Sequence, residues 1–142
     1  AKIANIEILE ADKDESREDY DRQLINLLRE HQPDVIILAG WMRILSEVYC
    51  EQFGQKTLNV HPSLLPEYPG MMGDDVHRAV IENEDRYTGA TIHRVTNEVD
   101  AGEIFVQRKV PVDPTDTVEV LRGKVQRQEI LGFCEALEHR KK

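Results

Sequence analysis

The sequence has little cysteine, a shortage of positive charge and no long apolar run. Cys50 and Cys134 are its only cysteines, far apart and in no metal-like spacing. That argues against a disulfide framework and reads both as thiols of a reducing compartment. Lys and Arg number 18 against 27 Asp and Glu, a net charge of -9. Such a balance argues against free affinity for nucleic acid or an anionic membrane. It leaves room for a local anion site built from backbone N–H groups or one arginine. No apolar stretch reaches membrane-spanning length and no secretory signal opens the chain. A cytoplasmic setting is therefore expected, although an organelle protein freed of its targeting segment reads the same way.

The 142 residues are enough for a single domain, residues 1–142, with a sizeable core. The first residue is Ala1, which fits removal of an initiator or a chain that begins inside a longer protein. Ile3 to Leu9 reads as a short strand near a sheet edge. Ser16 with Asp19 resembles a capping pair, so a helix is expected from Arg17 to about Glu30, with Tyr20, Leu24, Leu27 and Leu28 as its buried stripe. Val35-Ile36-Ile37-Leu38-Ala39 is apolar without alternation and predicts a central parallel strand covered on both faces. Ser46 caps a short helix through Cys50 to Phe53. Lys56 to Val60 is a second central strand, and Asp75 to Glu82 a helix that carries His77 on its surface. Thr88 to Val95 and Glu103 to Val110 read as two more strands, joined through Asn97 to Gly102. A last helix spans about Thr117 to Glu138, with Val118, Leu121, Val125 and Ile130 as core candidates.

The chemistry concentrates after the strand ends, where open α/β sheets bind ligands. Asn59 and His61 are two apart on a chain leaving a strand, a spacing that puts both side chains on one side if the strand persists. An amide and a protonated imidazole can both donate to a developing oxyanion. Asp100 is the candidate partner, since a carboxylate beside an imidazole favours the imidazolium, and it can also accept a proton from an amine. The same Asn and His also read as loop residues tied to the backbone, and Asp100 before Ala101-Gly102 as a turn former. Pro62 and Pro66 stiffen the loop, while Tyr68 and Gly70 shape it. Ser63 orients it through hydrogen bonds and lacks a nucleophile elbow. Arg43 binds a carboxylate or locks its own loop. Trp41, Met42, Ile44 and Leu45 line a flat apolar pocket or simply fill the core. His93 faces the cleft or packs inside. No residue spacing supports a metal site.

Leu38-Ala39-Gly40-Trp41-Met42-Arg43-Ile44-Leu45, Asn59-Val60-His61-Pro62-Ser63-Leu64-Leu65-Pro66 and Glu98-Val99-Asp100-Ala101-Gly102 together resemble the folate-dependent formyltransferases. The likeness runs from about residue 2 to about residue 138 and is strongest to the branch that formylates glycinamide ribonucleotide. It implies an α/β, Rossmann-like formyltransferase fold. That fold is expected to be N-terminally truncated, with a mostly parallel sheet and an antiparallel C-terminal element.

The resemblance also implies an activity, the transfer of a formyl group from 10-formyltetrahydrofolate to the amine of glycinamide ribonucleotide in purine biosynthesis, with no metal. Asn59, His61 and Asp100 take the catalytic roles. Trp41, Met42, Arg43, Ile44, Leu45, Val95, Thr96 and Val99 form the folate site, with Arg43 near the glutamate tail. Ser63, Pro66, Gly70 and His93 bind substrate or shape the loop. Two departures follow. The family's N-terminal half with its phosphate loop is expected to be missing, so a homodimer or a segment supplied in trans would complete the sheet. Met72 stands where the family has a first histidine, and Asp74 and Asp75 add negative charge near a phosphorylated substrate. The alternatives are a related amine such as an amino sugar, hydrolysis of the formyl donor, or a folate-binding but catalytically weak fragment or remnant.

Overall fold

The structure, a computed structural model, describes residues 7–140. Helix α1 (Arg17–His31) begins where the Ser16 hydroxyl accepts the Asp19 N–H at 3.1 Å, and ends where Gln32 turns left-handed and returns its N–H to Leu28. The cap satisfies an N–H that a helix start otherwise leaves bare. Strand β1 (Ile36–Leu38), helix α2 (Glu47–Phe53) and strand β2 (Thr57–His61) follow. Helix α3 (Asp74–Glu82), strands β3 (Tyr87–Arg94) and β4 (Ile104–Pro111), and helix α4 (Val118–Arg140) complete the chain.

Among the described residues the sheet has four strands in chain order, β1-β2-β3-β4. Among the described residues β1 and β2 are the parallel pair; β2 with β3 and β3 with β4 are antiparallel. The expected mostly parallel sheet is thus a mixed, mostly antiparallel one. The reason lies in residues 62–86. A parallel β3 would need α3 to carry the chain back along the sheet. Instead α3 lies on α4, and the chain re-enters at the end where β2 stops, pairing His61 with Thr91 and Leu58 with Arg94. Apolar β-branched runs read alike in either direction, so periodicity could not reveal this.

Other expectations also shift. Of the strand expected over Ile3 to Leu9, residues 1–6 lie outside the described set and Glu7 to Leu9 carry no regular structure. The Val35-to-Ala39 run shrinks to a three-residue strand that is outermost among the described residues, where Ile37 is partly exposed. In α1 the buried positions are Tyr20, Asp21 and Ile25, with Leu24, Leu27 and Leu28 only partly covered. Asp21 is buried because its carboxylate accepts the Ser46 N–H at 2.6 Å, tying α1 to the start of α2.

Alternation along the strands divides the sheet into two faces. Leu58, Val60, Ala90 and Ile92 face α4, where Leu121, Val125, Phe133 and Ala136 cover them. Ile130 is 65% exposed, contrary to expectation. It lies five residues beyond Val125, off the three-and-four spacing that keeps a helical stripe on one face. The opposite face carries Asn59, His61, Thr91 and His93, and the loop after β2 settles onto it. Gly89 makes that approach possible: a Cβ there would stand 2.2 Å from the Arg108 carbonyl oxygen and 2.6 Å from Leu64 Cδ2. Replacing Leu121, buried between α3 and the sheet, with Ala should lower the unfolding free energy by about 2–5 kcal/mol. Ile130→Ala should change it by less than about 0.5 kcal/mol, and denaturant titration of both variants checks the assignment.

Candidate active site

Three chain segments leave neighbouring strand ends and converge. One follows β1 through Gly40 to Ser46, one follows β2 from Pro62 to Gly73, and one joins β3 to β4. Between them lies a cleft of about 220 Å³. Register decides which side chains meet there. Asn59 pairs with His93 across β2 and β3, and His61 follows two positions on, so all three project from one face.

Asp100 enters from the β3–β4 connection with a left-handed backbone, φ 55°. Its carboxylate is 3.2 Å from His61 Nδ1 and accepts the Gly70 N–H at 2.8 Å. His93 Nε2 stands 3.4 Å from the other oxygen, a charge contact poorly aimed for a hydrogen bond. All three side chains are almost fully buried. Burial works against ionisation of Asp100. The His61 ring, the His93 ring and the Gly70 N–H outweigh it and hold the carboxyl well below the ordinary carboxylate range.

The other ring nitrogen of His61, Nε2, is 2.8 Å from the Tyr68 carbonyl oxygen. Both neighbours of the ring are acceptors, and only an imidazole with both nitrogens protonated satisfies both. The ring thus stands between a carboxylate and a carbonyl oxygen, with Asn59 next to it on the cleft wall.

Trp41, Met42, Arg43, Ile44, Leu45, Val95, Thr96 and Val99 all line the cleft, as do Asn59, His61, His93 and Asp100. The Arg43 guanidinium lies 4.0 Å over the Tyr20 ring of α1, a cation–π contact that fixes the 41–45 segment. Ser63, Pro66 and Gly70 are outside the lining. Ser63 is fully buried and donates to the Glu67 carbonyl at 2.5 Å, while Gly70 acts through its N–H on Asp100.

Sequence reasoning missed the polar end of the cleft, formed by His77, Arg122, Gln126 and Glu129. His77, expected on the surface, is buried with Nδ1 unpartnered among the described residues. Burial keeps its imidazole below the ordinary value despite nearby Asp74. Burial likewise pushes the Glu129 carboxyl up. The signal for this wall was present: 122, 126 and 129 form one helical stripe beside Leu121 and Val125. The Asp74 charge, expected to be unfavourable, is met by Arg122 at 2.7 Å, and Asp75 by Arg78 at 2.7 Å. Among the described residues no group of three or more His, Cys, Asp or Glu is arranged to hold a metal ion, and no helix is long and apolar enough to cross a membrane.

The family model described as Formyl transferase matches residues 2–137. The chain belongs to the formyl transferase family. Because that match begins at residue 2, the expectation of a member stripped of the family's N-terminal, phosphate-binding half is overturned. The chain is 45% identical over 115 residues to phosphoribosylglycinamide formyltransferase of Escherichia coli, covering 81% of this chain and 53% of that protein. It thus spans about half the length of that relative. It is 39% identical over 123 residues to the human trifunctional purine biosynthetic protein adenosine-3, covering 87% of this chain and 12% of that protein. The crystal structure of phosphoribosylglycinamide formyltransferase from Streptococcus pneumoniae superposes with a TM-score of 0.82 at 30% identity, covering 92% of this chain and 71% of that one.

The depressed Asp100 carboxyl makes a stability prediction for this formyl transferase. A group that ionises more readily folded than unfolded stabilises the fold above its unfolded pKa, here about 4, and loses that contribution as pH falls further. Asp100→Asn should therefore lower the unfolding free energy at pH 6, and the gap to wild type should narrow steadily below about pH 4. An equal gap at both ends of a denaturant series run across that range would remove Asp100 as the linked group.

Proposed function

We propose that the chain transfers a formyl group from 10-formyltetrahydrofolate to the amine of glycinamide ribonucleotide, the acceptor that the name of its Escherichia coli relative carries. The observation that carries this reading is the buried His61–Asp100 pair beside Asn59 on the wall of a half-apolar cleft. The folate lies between the 41–45 segment and residues 95–99, and the acceptor enters at the polar end near His77, Gln126 and Glu129.

In this reading the amine lone pair attacks the formyl carbon, and the carbonyl electrons move onto oxygen. The Asn59 amide donates to that oxyanion, and the His61 ring, its two nitrogens held by Asp100 and the Tyr68 carbonyl, stabilises it through its charge. As the carbonyl re-forms, the bond to folate N10 breaks; N10 takes a proton and the attacking nitrogen releases one. A carboxyl held as low as that of Asp100 is a weak base. Asp100 therefore serves chiefly as the fixed charge that keeps His61 protonated, and water carries the proton from the amine. The proton that leaves the amine and the one that N10 gains both pass through solvent.

His61→Ala removes the charge nearest the oxyanion. Formyl transfer should fall at least about 100-fold, while 10-formyltetrahydrofolate still quenches the single tryptophan, Trp41, at nearly the wild-type concentration. Turnover is measured as tetrahydrofolate released in the presence of glycinamide ribonucleotide. Unchanged turnover in the variant would take His61 out of the mechanism, and a wild-type chain that binds no folate would sink the proposal as a whole.

A further inference from the structure

Tyr68 has its backbone in the left-handed region, φ 53°, a conformation unfavourable for any residue with a Cβ. In that conformation its carbonyl oxygen stands 2.8 Å from His61 Nε2. Something must hold it. The Tyr68 ring reaches out of the loop to the far end of α3, where its hydroxyl donates to the Asp85 carboxylate and accepts the Asn83 side-chain N–H at 2.8 Å. Asp85 and Asn83 are themselves fixed by backbone bonds, Asp85 N–H to the Val80 carbonyl at 3.1 Å and Asn83 N–H to the Ala79 carbonyl at 2.9 Å. None of Tyr68, Asn83 and Asp85 lines the cleft. Two residues beyond Tyr68, Gly70 supplies the N–H that Asp100 accepts.

We propose that the Asp85–Tyr68–Asn83 hydrogen-bonded set is a positioning device, built outside the cleft, that fixes the orientation of the His61 ring against Asp100. Tyr68 is its working member. One short stretch of loop presents an acceptor to the imidazole and, through Gly70, a donor to the carboxylate. Anchoring the tyrosine ring therefore sets both partners of the pair at once. Burial and the Asp85 carboxylate push the Tyr68 hydroxyl up from its ordinary value, so it remains a donor throughout the neutral range. A tether serving stability alone would leave the imidazole's own hydrogen bonds unaltered when cut.

The test reads the His61 ring directly, by proton and nitrogen NMR of the histidine-labelled chain. In the wild type the Nε2 proton should resonate downfield and exchange slowly with water, being buried and bonded to a carbonyl. Tyr68→Phe keeps the ring and removes both outer bonds; exchange of that proton should rise about tenfold or more, or the signal should broaden away. Asn83→Ala removes one bond from the exposed side and should give a smaller change of the same kind. Asp85→Asn retains an acceptor and should restore near wild-type behaviour, and Arg78→Ala on the outer face of α3 should change nothing.

The expected turnover effect rests on the formyl-transfer reading: kcat falls about tenfold, as for a slight misplacement of a reacting group, with KM for the folate nearly unchanged. Unaltered Nε2 exchange in both Tyr68→Phe and Asn83→Ala, with native amide spectra, would overturn the proposal. If Tyr68→Phe does not fold, Asn83→Ala decides alone. A wild-type chain without formyl transfer whose His61 signal still responds loses the functional reading and keeps the positioning role. A transferring chain whose signal ignores both substitutions loses the positioning role only.

Discussion

The buried carboxylate of Asp100 is the constraint around which this molecule is organised. A negative charge removed from water is tolerated only when donors surround it. Here its neighbours come from three separate stretches of chain: the His61 ring at the end of β2, the His93 ring in β3, close but poorly aimed, and the backbone N–H of Gly70 in the loop between β2 and α3. Each donor fixes the others. If the loop moved, the carboxylate would lose its strongest neutral donor; if β2 slipped by one residue, His61 would turn to the opposite face. The left-handed backbone of Asp100 is held in place by the same closure.

Around that charge the sheet is built so that its ends can deliver loops. Gly89 lets the loop after β2 lie directly on the strands. Gly102 does the same for the β3–β4 connection, since a Cβ there would meet the Arg94 carbonyl oxygen at 1.8 Å. The antiparallel return of β3 brings His93 beside Asn59, which a parallel neighbour in the same register would not require. The mixed sheet is therefore part of how the cleft is assembled. The helices supply the remainder: α4 covers the apolar face with Leu121, Val125, Phe133 and Ala136, and offers Arg122, Gln126 and Glu129 to the cleft.

The chain's acidic balance is handled locally. Asp74 lines the cleft and Asp75 follows it in α3, and each is paired with an arginine, one from α4 and one from its own helix. At the exposed Asp75 pair this is worth little energetically, yet it reduces the negative field an anionic ligand would meet. Arg43, which lines the same cleft, rests on the Tyr20 ring of α1.

The linear sequence determined the helices and most strand positions, because caps such as Ser16 and Ser46 and the apolar spacing of Leu121 and Val125 are local properties of neighbouring residues. It also pointed to the residues with chemistry, since Asn59 and His61 share a strand face by simple alternation and the 41–45 segment follows a strand end. What it could not contain was direction and distance. The antiparallel run of β3, the outermost place of β1 among the described strands, the burial of His77 and the exposure of Ile130 each depend on which element lies opposite, and nothing local encodes that. Only the tertiary structure decided that Asp100 reaches His61 across 39 residues of chain, because bringing them together required the loop, the sheet return and the buried charge to close on one another at once.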